Sequence, residues 1–275
     1  MFELEKKRSR KKKLLVLGIL LVVILLAAIV GFKIYTSNYY AADETSLDLI
    51  KENIEERVSC HTDDTGTVFL PKGQQVKAVI FFYPGGKVEY TAYSALMYEL
   101  ADKGYICVLP RMPENLAFLR VDAMDAIRTN YAQEMTAVKD LDWYLAGHSL
   151  GGVAAAKYLT EQATPEMGGQ GSGTGTKADA FRGLILCASY PADDLSGLPL
   201  RFLSIRGSND GVLNLKRYEE SRKFWPADST EKVIDGGIHS FFGCYGIQKG
   251  DGEPGITNMQ QLETTATMID EWISD

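Results

Sequence analysis

The chain has 275 residues, of which 45% are hydrophobic and 24% are charged, a balance that is typical of a globular protein and excludes wholesale disorder. It contains four cysteines, too few for a disulfide scaffold. The net charge is −7, but residues 1–35 carry eight basic and two acidic side chains, a net +6, which leaves −13 on residues 36–275 and predicts that nucleic acid is not a partner.

The first 35 residues have the pattern of a membrane-targeting segment. Leu14–Phe32 is an uncharged apolar run that spans about 28 Å as a helix, close to the thickness of the hydrocarbon core. The alternative is a cleaved signal peptide, but the apolar region of a signal peptide is usually about 7–15 residues long. The best small-residue cleavage site, Ala41-Ala42, also lies well beyond this run. We therefore predict a basic tail over 1–13 and a retained transmembrane anchor over 14–35.

The charges that flank this run indicate its orientation. Seven basic residues lie between Lys6 and Lys13, whereas the other flank soon becomes acidic at Asp43, Glu44 and Asp48. The positive-inside bias puts the tail in the cytoplasm and the rest of the chain outside it. The prediction is a single-pass protein of the cell membrane whose main domain is extracytoplasmic.

Residues 36–57 are polar, with apolar side chains at helical spacing, and predict a short amphipathic stalk. From residue 58 to 275, apolar runs alternate with helical patterns. Strands are predicted at Val58–Cys60, Thr67–Leu70, Ala78–Tyr83, Tyr105–Leu109, Trp143–Ala146, Phe181–Ser189, Leu200–Ile205 and Lys232–Ile234. Helices are predicted at Tyr90–Lys103, Asp122–Arg128, Tyr131–Val138, Leu150–Glu161, Leu215–Phe224 and Asn258–Ile273. This alternation predicts an α/β fold with a mostly parallel central sheet and helices on both faces.

Residues 163–178 interrupt the pattern with a run rich in glycine and serine, which predicts a flexible loop. The loop follows the helix that starts at residue 150, so it belongs at the amino-terminal ends of the strands. Ligands bind at the opposite edge of such sheets, and we expect no catalytic role for this segment.

The strongest chemical motif is Gly147-His148-Ser149-Leu150-Gly151, which Gly152 follows. It stands between a predicted strand and a predicted helix, the setting in which a G-x-S-x-G sequence forms a sharp turn that exposes the serine hydroxyl. The flanking glycines avoid side-chain clashes in the turn, and the helix amino terminus favours developing negative charge. Ser149 is therefore a candidate nucleophile.

With this motif, residues 58–275 resemble the alpha/beta hydrolases. In that family an acid and then a histidine follow the serine in the chain. Asp210 comes just after the strand predicted at Leu200–Ile205, and His239 just after the strand predicted at Lys232–Ile234, so the order and the positions both match. The resemblance implies a catalytic triad of Ser149, Asp210 and His239.

Each partner of the serine has a competitor or a plainer explanation. Asp210 lies in an Asn-Asp-Gly sequence that is typical of turns, and Asp193 and Asp194 follow the preceding predicted strand. Of the other two histidines, His61 precedes the main sheet and His148 occupies the variable position of the motif. The histidine at 239 is therefore the one placed to act as the base.

An acyl-transfer reaction also needs donors for the oxyanion. In the family, one is the amide of the residue after the nucleophile, here Leu150. The other comes from the loop after the first long strand, here Phe82-Tyr83-Pro84-Gly85-Gly86, and the resemblance implies the amide of Gly86. Proline replaces the usual histidine in this loop, so the amides of Gly85 and Lys87 are alternatives.

Two stretches, residues 83–88 and 239–252, resemble the small bacterial dienelactone-hydrolase-like enzymes. Those enzymes use a cysteine nucleophile where this chain has a serine, which argues against dienelactone as the substrate. Only Pro191–Pro199 separates two predicted strands where many relatives insert a lid, so we predict no large cap domain.

The resulting hypothesis is a membrane-anchored serine hydrolase that cleaves carboxylic esters, thioesters or lipid acyl groups, without a cofactor or a metal. Its expected partners are a small-molecule or lipid ester and the membrane, through residues 14–35. The alternatives are an acyltransferase or amidase that acts on the cell envelope, and a catalytically silent binding protein on the same fold. A disulfide between Cys60 and Cys244 is left open.

Overall fold

The computed structural model describes residues 2–130, 138, 140–163 and 181–275. The strands are β1 (Val58–Thr62), β2 (Gly66–Pro71), β3 (Ala78–Tyr83), β4 (Tyr105–Pro110), β5 (Asp142–His148), β6 (Gly183–Cys187), β7 (Arg201–Gly207) and β8 (Ser229–Ile234). The α-helices are α1 (Phe2–Ser37), α2 (Glu44–Ile54), α3 (Ser94–Asp102), α4 (Ala123–Asn130), α5 (Leu150–Ala163), α6 (Leu215–Ser221) and α7 (Asn258–Ser274).

The strands form one sheet of eight in the order β1-β2-β4-β3-β5-β6-β7-β8. β1 and β2 are antiparallel to their neighbours, and β4, β3, β5, β6, β7 and β8 run parallel to one another. The mostly parallel sheet that the sequence predicts is therefore confirmed. The carboxyl ends of the six parallel strands share one edge of the sheet, which we call the carboxyl edge.

The apolar run of β3 explains why the sheet is covered on both faces. Ile80 and Phe82 pack in a core with α2, α3 and α7, whereas Val79 and Phe81 pack in a second core with α4 and α5. Successive side chains of a strand point to opposite faces, so a continuous apolar run suits a strand that is buried on both. All six β3 side chains are buried.

Several element ends differ from the sequence prediction for local reasons. The strand predicted to reach Ser189 ends at Cys187, because Ala188 adopts a positive φ of 47°. The first turn of the helix predicted at Tyr90–Lys103 is a 3-10 turn, Tyr90–Tyr93, and α3 follows it. His61, expected before the main sheet, lies in its edge strand β1. Residues 131–137 of the predicted Tyr131–Val138 helix and residues 164–178 of the predicted loop lie outside the described residues.

The chain divides into two compact units, of which the first ends at Tyr39 and the second is Tyr40–Asp275. In the first unit, the Lys12–Ser37 part of α1 is long and apolar enough to cross a membrane, by length and composition. In the second unit, α2 lies within the segment predicted as a stalk, and its buried side chains Leu47, Ile50 and Ile54 belong to the same core as α3.

Two connections bear on the remaining predictions. Residues 188–200 join β6 to β7 and are too few to form a cap domain at that place. The thiols of Cys60 and Cys244 are both free in the structure, and Cys60 contacts the Tyr98 hydroxyl at 3.2 Å while Cys244 contacts the Asn258 side chain.

Candidate active site

The predicted nucleophile lies at a sharp turn on the carboxyl edge. Ser149 follows β5 directly, precedes α5 and has a positive φ of 51°, a conformation that is rare for a residue with a side chain. A Cβ on Gly147 would lie 2.7 Å from the backbone of Gly151, and one on Gly151 would collide with the carbonyl oxygens of Tyr83 and Pro84. The two glycines of the motif therefore let the turn close against itself and against the loop after β3.

The backbone of the turn is held on its β6 side. The Ser149 N–H donates to the carbonyl of Cys187 at 3.0 Å, and the Ser189 hydroxyl donates to the Ser149 carbonyl at 2.7 Å. The strained serine is thus fixed by its own main chain, and its side chain is partly exposed. A hydroxyl held in this way is preorganised for attack on a ligand at the sheet edge.

Asp210 and His239 meet at the same edge. Asp210 lies in the loop after β7 and His239 in the loop after β8, and His239 Nδ1 is 2.9 Å from Asp210 Oδ2. The two side chains are only 1% and 2% exposed. The other carboxylate oxygen, Oδ1, accepts from the N–H groups of Val212 and Leu213. The aspartate therefore makes the turn that its sequence suggests and also contacts the histidine.

The structure brings His239 beside the serine turn without a hydrogen bond to Ser149. The His239 ring lies 4.6 Å, between centroids, from the ring of His148, the residue just before the serine. His239 Nε2 is buried and has no hydrogen-bond partner among the described residues. Hydrogen bonds between a catalytic base and its nucleophile are often formed only when substrate is bound.

The rival acids occupy other positions. Asp194 is exposed and accepts from the N–H of Ser196, and Asp193 contacts neither His239 nor His148 in the part of the chain that the structure describes. Their loop follows β6, whereas the loops that pair with each other follow β7 and β8. Asp210 is thus the carboxylate that the fold joins to His239.

The backbone amides near Ser149 separate the three oxyanion candidates. The Gly85 N–H donates to the Tyr93 hydroxyl at 3.0 Å, and the Lys87 N–H donates to the carbonyl of Asn115 at 2.7 Å. Gly86 lies between them, contacts the Leu150 side chain, and has no hydrogen bond on its N–H within the described ranges. The Leu150 N–H is the first of α5 and is likewise unbonded there, so these two amides are available to a ligand.

His148 has structural contacts that its position in the motif does not predict. Its Nε2 is 3.1 Å from the carbonyl of His239, which can only accept, so Nε2 carries the proton. Its Nδ1, 2.8 Å from the Tyr93 hydroxyl, then accepts from that hydroxyl, which in turn accepts from the Gly85 N–H. Burial, followed by the proximity of His239, holds the pKa of His148 well below its usual range, so the ring is neutral.

Asp251 is a second carboxylate that the sequence interpretation missed. Its Oδ1 accepts from the N–H groups of His239, Gly211 and Gly252, at 3.1, 3.2 and 2.9 Å. Its Oδ2 accepts from the N–H and the hydroxyl of Ser240, at 2.7 and 2.6 Å. Burial raises its pKa, but these hydrogen bonds outweigh burial and the pKa is lowered. The only signal for it in the sequence is a Gly-Asp-Gly turn in one of the stretches that carry the family resemblance.

Together these contacts hold the histidine from three sides. His239 is bonded through its ring to Asp210, through its N–H to Asp251 and through its carbonyl to His148. Among the described residues no group of three or more His, Cys, Asp or Glu side chains is arranged to hold a metal ion. The arrangement offers a hydroxyl, a paired imidazole and two unbonded amides at one edge of the sheet.

A comparison with protein-family models matches residues 78–263 to the alpha/beta hydrolase family. The match covers more than half of the chain and includes the serine turn and the loops that carry Asp210 and His239. A comparison with curated proteins finds no match. By the extent of the family match and by its fold, the chain belongs to the alpha/beta hydrolase family.

Proposed function

We propose that the protein is a membrane-anchored serine hydrolase that cleaves carboxylic esters through an acyl-enzyme on Ser149. The observation that carries the proposal is the pairing of His239 Nδ1 with Asp210 Oδ2 at 2.9 Å, beside the turn that bears Ser149. The family match supports a hydrolase, and the residues at the carboxyl edge support a serine mechanism.

In the proposed reaction, His239 Nε2 accepts the proton of the Ser149 hydroxyl as Oγ attacks the ester carbonyl. Asp210 holds the ring in the tautomer that leaves Nε2 free and stabilises the imidazolium. The N–H groups of Gly86 and Leu150 donate to the oxyanion as it forms. His239 then gives its proton to the leaving alcohol, and a water molecule attacks the acyl-enzyme by the same steps and releases the acid.

The substrate class is an ester, a thioester or a lipid acyl group. The stretches at 83–88 and 239–252 support a dienelactone-hydrolase-like member of the family, but a serine stands where those enzymes have a cysteine. The short connection over 188–200 supports a site without a large cap. Bulky or membrane-held substrates fit such a site better than substrates that must be enclosed.

The proposal includes a membrane anchor over residues 14–35. The second unit, Tyr40–Asp275, which we call the hydrolase unit, is then extracytoplasmic. The Lys12–Ser37 part of α1 is long and apolar enough to cross a bilayer, and seven basic residues precede the apolar run that begins at Leu14. Protease protection of right-side-out and inverted vesicles tests the orientation, because the hydrolase unit is degraded only on the side that it faces.

The substitution Ser149→Ala tests the reaction. We expect the variant to lose roughly a thousandfold or more of its turnover of p-nitrophenyl esters, together with labelling by a fluorophosphonate probe, since the nucleophile is removed. Ser196→Ala is the matched control, because Ser196 is exposed in the loop after β6 and touches none of the proposed machinery. Wild-type labelling of Ser149→Ala would refute the nucleophile, and an unlabelled, inactive wild-type protein would favour a silent binding protein.

A further inference from the structure

The carboxyl edge carries a set of exposed apolar side chains. Phe118 and Leu119 follow β4, Leu215 follows β7 and Ile247 follows β8, and these side chains are between 43% and 53% exposed. A single exposed apolar residue is ordinary in a soluble protein, but a group on one surface indicates contact with another apolar phase. We call these four residues the apolar rim.

The apolar rim lies around the candidate active site. The turn Ala117–Leu119 packs against α5, the helix that begins just after Ser149. The carbonyl of Asn115, in the same loop, accepts from the N–H of Lys87, next to Gly86. Ile247 lies in the segment between His239 and Asp251, in the connection that follows β8.

The first residues of the second unit are bonded to the same edge. The N–H of Tyr40 donates to the carbonyl of Lys87 at 2.8 Å, and the N–H of Glu89 donates to the carbonyl of Tyr40 at 2.9 Å. The N–H of Lys249 donates to the Tyr40 hydroxyl at 3.0 Å, and the N–H of Asp43 donates to the carbonyl of Cys244. The chain thus enters the hydrolase unit beside the Gly86 loop and the loop after His239.

The length of the connection limits how far this edge can be from lipid. α1 ends at Ser37, and the three residues from there to Tyr40 span at most about 11 Å when fully extended. With α1 in a bilayer, as proposed above, the point of entry remains within reach of the polar headgroup layer, which is about 5–8 Å thick on each side. The covalent tether and the apolar rim are independent observations, and both concern the carboxyl edge.

We propose that the carboxyl edge contacts the membrane surface through the apolar rim and that the substrate is an acyl ester of a membrane lipid. The proposal rests on the serine hydrolase function and names its substrate class. Apolar side chains of a peripheral surface enter the boundary between headgroups and acyl chains, which is where the ester groups of lipids lie. Ser149 Oγ bonds to the acyl carbon as the lipid C–O bond breaks, His239 protonates the released alcohol, and water then releases the fatty acid.

The test uses the full chain in phosphatidylcholine vesicles and two esters with the same fluorogenic alcohol. 4-Methylumbelliferyl palmitate is dissolved in the bilayer, and 4-methylumbelliferyl butyrate is dissolved in the water. For Leu119→Ser with Ile247→Ser, we expect kcat/KM for the palmitate to fall roughly tenfold or more, since two apolar contacts with lipid are lost, and kcat/KM for the butyrate to stay within about twofold. Phosphatidylcholine is zwitterionic and has no net charge, so it avoids repulsion of the acidic hydrolase unit.

Leu70→Ser is the matched control. Leu70 is also an exposed leucine, at 38%. It lies near the last residue of β2, and because β2 is antiparallel to β4, this end of β2 is away from the carboxyl edge. It should change neither rate. Equal losses on both esters, no loss on the palmitate, or a wild-type protein that cleaves only the butyrate would each overturn the lipid contact. A wild-type protein that cleaves neither ester and is not labelled at Ser149 would instead overturn the serine hydrolase function.

Discussion

A single buried histidine, His148, connects the serine turn to His239 and to Tyr93. His148 occupies the position before Ser149, donates to the carbonyl of His239 and accepts from the Tyr93 hydroxyl, which in turn holds the Gly85 amide. Protonation of the ring would put an N–H on Nδ1, opposite the Tyr93 hydroxyl that donates to this atom, and would place a positive charge in a buried site. A neutral His148 is therefore a condition for the folded geometry, and the charge cost appears as a dependence of stability on pH.

We predict that this dependence can be measured with His148→Gln in the fragment 40–275. The pKa of His148 is lowered in the fold and is about 6.5 in the unfolded chain, so protonation below about pH 6.5 favours unfolding. The wild-type free energy of unfolding should fall by up to about 1.4 kcal/mol per pH unit more steeply than that of the variant. Urea unfolding between pH 7.5 and 5 measures both slopes.

His61→Gln is the control for this experiment, because it replaces an exposed histidine on the edge strand β1, away from the serine turn. The amide side chain introduced by His148→Gln would retain an N–H for the His239 carbonyl, so the fold of the variant should be preserved. A constant difference between wild type and His148→Gln across the pH range would contradict a neutral His148.

At the residue scale, the sequence predicted positions better than contacts. The places of Asp210 and His239 after β7 and β8 follow from a parallel sheet whose carboxyl ends share an edge, and the structure joins the two side chains. The contact of His148 with Tyr93 joins residues 55 positions apart, and it depends on how the loop after β3 folds over the serine turn. Such a contact has no periodicity in the sequence, so no pattern could predict it.

Among the elements, the loops after β7 and β8 are joined by one carboxylate. Asp251 accepts from the N–H of Gly211 in the first loop and from the N–H groups of His239 and Ser240 in the second. It does not touch the reacting atoms of the proposed reaction and is a positioning residue. Its effect on catalysis would come from the angle and distance at which the two loops present Asp210 to the histidine.

We predict that Asp251→Asn lowers kcat for p-nitrophenyl esters roughly ten- to hundredfold with little change in KM, because small displacements of catalytic groups are costly. The amide keeps the size of the side chain but replaces one acceptor oxygen with a donor, and both oxygen positions face backbone N–H groups. Glu253→Gln is the matched control, since Glu253 is exposed two residues further along. An unchanged kcat, or a rise in KM alone, would show that the two loops hold their geometry without Asp251.

The ends of the elements show which local signals were sufficient. Ala78–Tyr83 was predicted residue for residue, because an apolar run bounded by polar residues leaves one choice of strand. The end of β6 was predicted two residues late, because Ala188, whose N–H donates to the carbonyl of Ile205 in β7, adopts a positive φ that the propensity of alanine does not indicate. Patterns of burial are thus visible in the sequence, whereas conformations that packing imposes are not.

For the molecule as a whole, the alternation of strands and helices predicts a parallel sheet but not the order of its strands. The placement of β4 between β2 and β3, and of β5 next to β3, puts the serine turn beside the Gly86 loop. The sequence also predicts an amphipathic stalk over residues 36–57, from the helical spacing of its apolar side chains. In the structure α2 contributes these three aliphatic side chains to the core shared with α3, a packing partner that the spacing alone does not identify.

The hydrolase unit should therefore require the residues from Tyr40 onward. Leu47, Ile50 and Ile54 are 8%, 7% and 3% exposed, and each contributes about 1.5–3 kcal/mol when its burial is complete. Removal of α2 would also expose the face of α3 that it covers. We predict that the fragment 40–275 is folded and labelled by fluorophosphonate at the wild-type rate, whereas the fragment 58–275 melts at least roughly 10 °C lower or aggregates, given that about 1 kcal/mol shifts the melting temperature of a domain this size by roughly 2–4 °C.

Thermal unfolding followed by circular dichroism, with labelling of Ser149 as the second readout, compares the two fragments. The variant Leu47→Ser/Ile50→Ser in the fragment 40–275 separates the packing of α2 from its mere presence, and it should melt between the two fragments. Leu49→Ser is its control, because Leu49 is the exposed leucine of the same helix, at 58%. Equal melting temperatures for 40–275 and 58–275 would mean that α2 adds nothing to the core, and the hydrolase unit would then begin at β1.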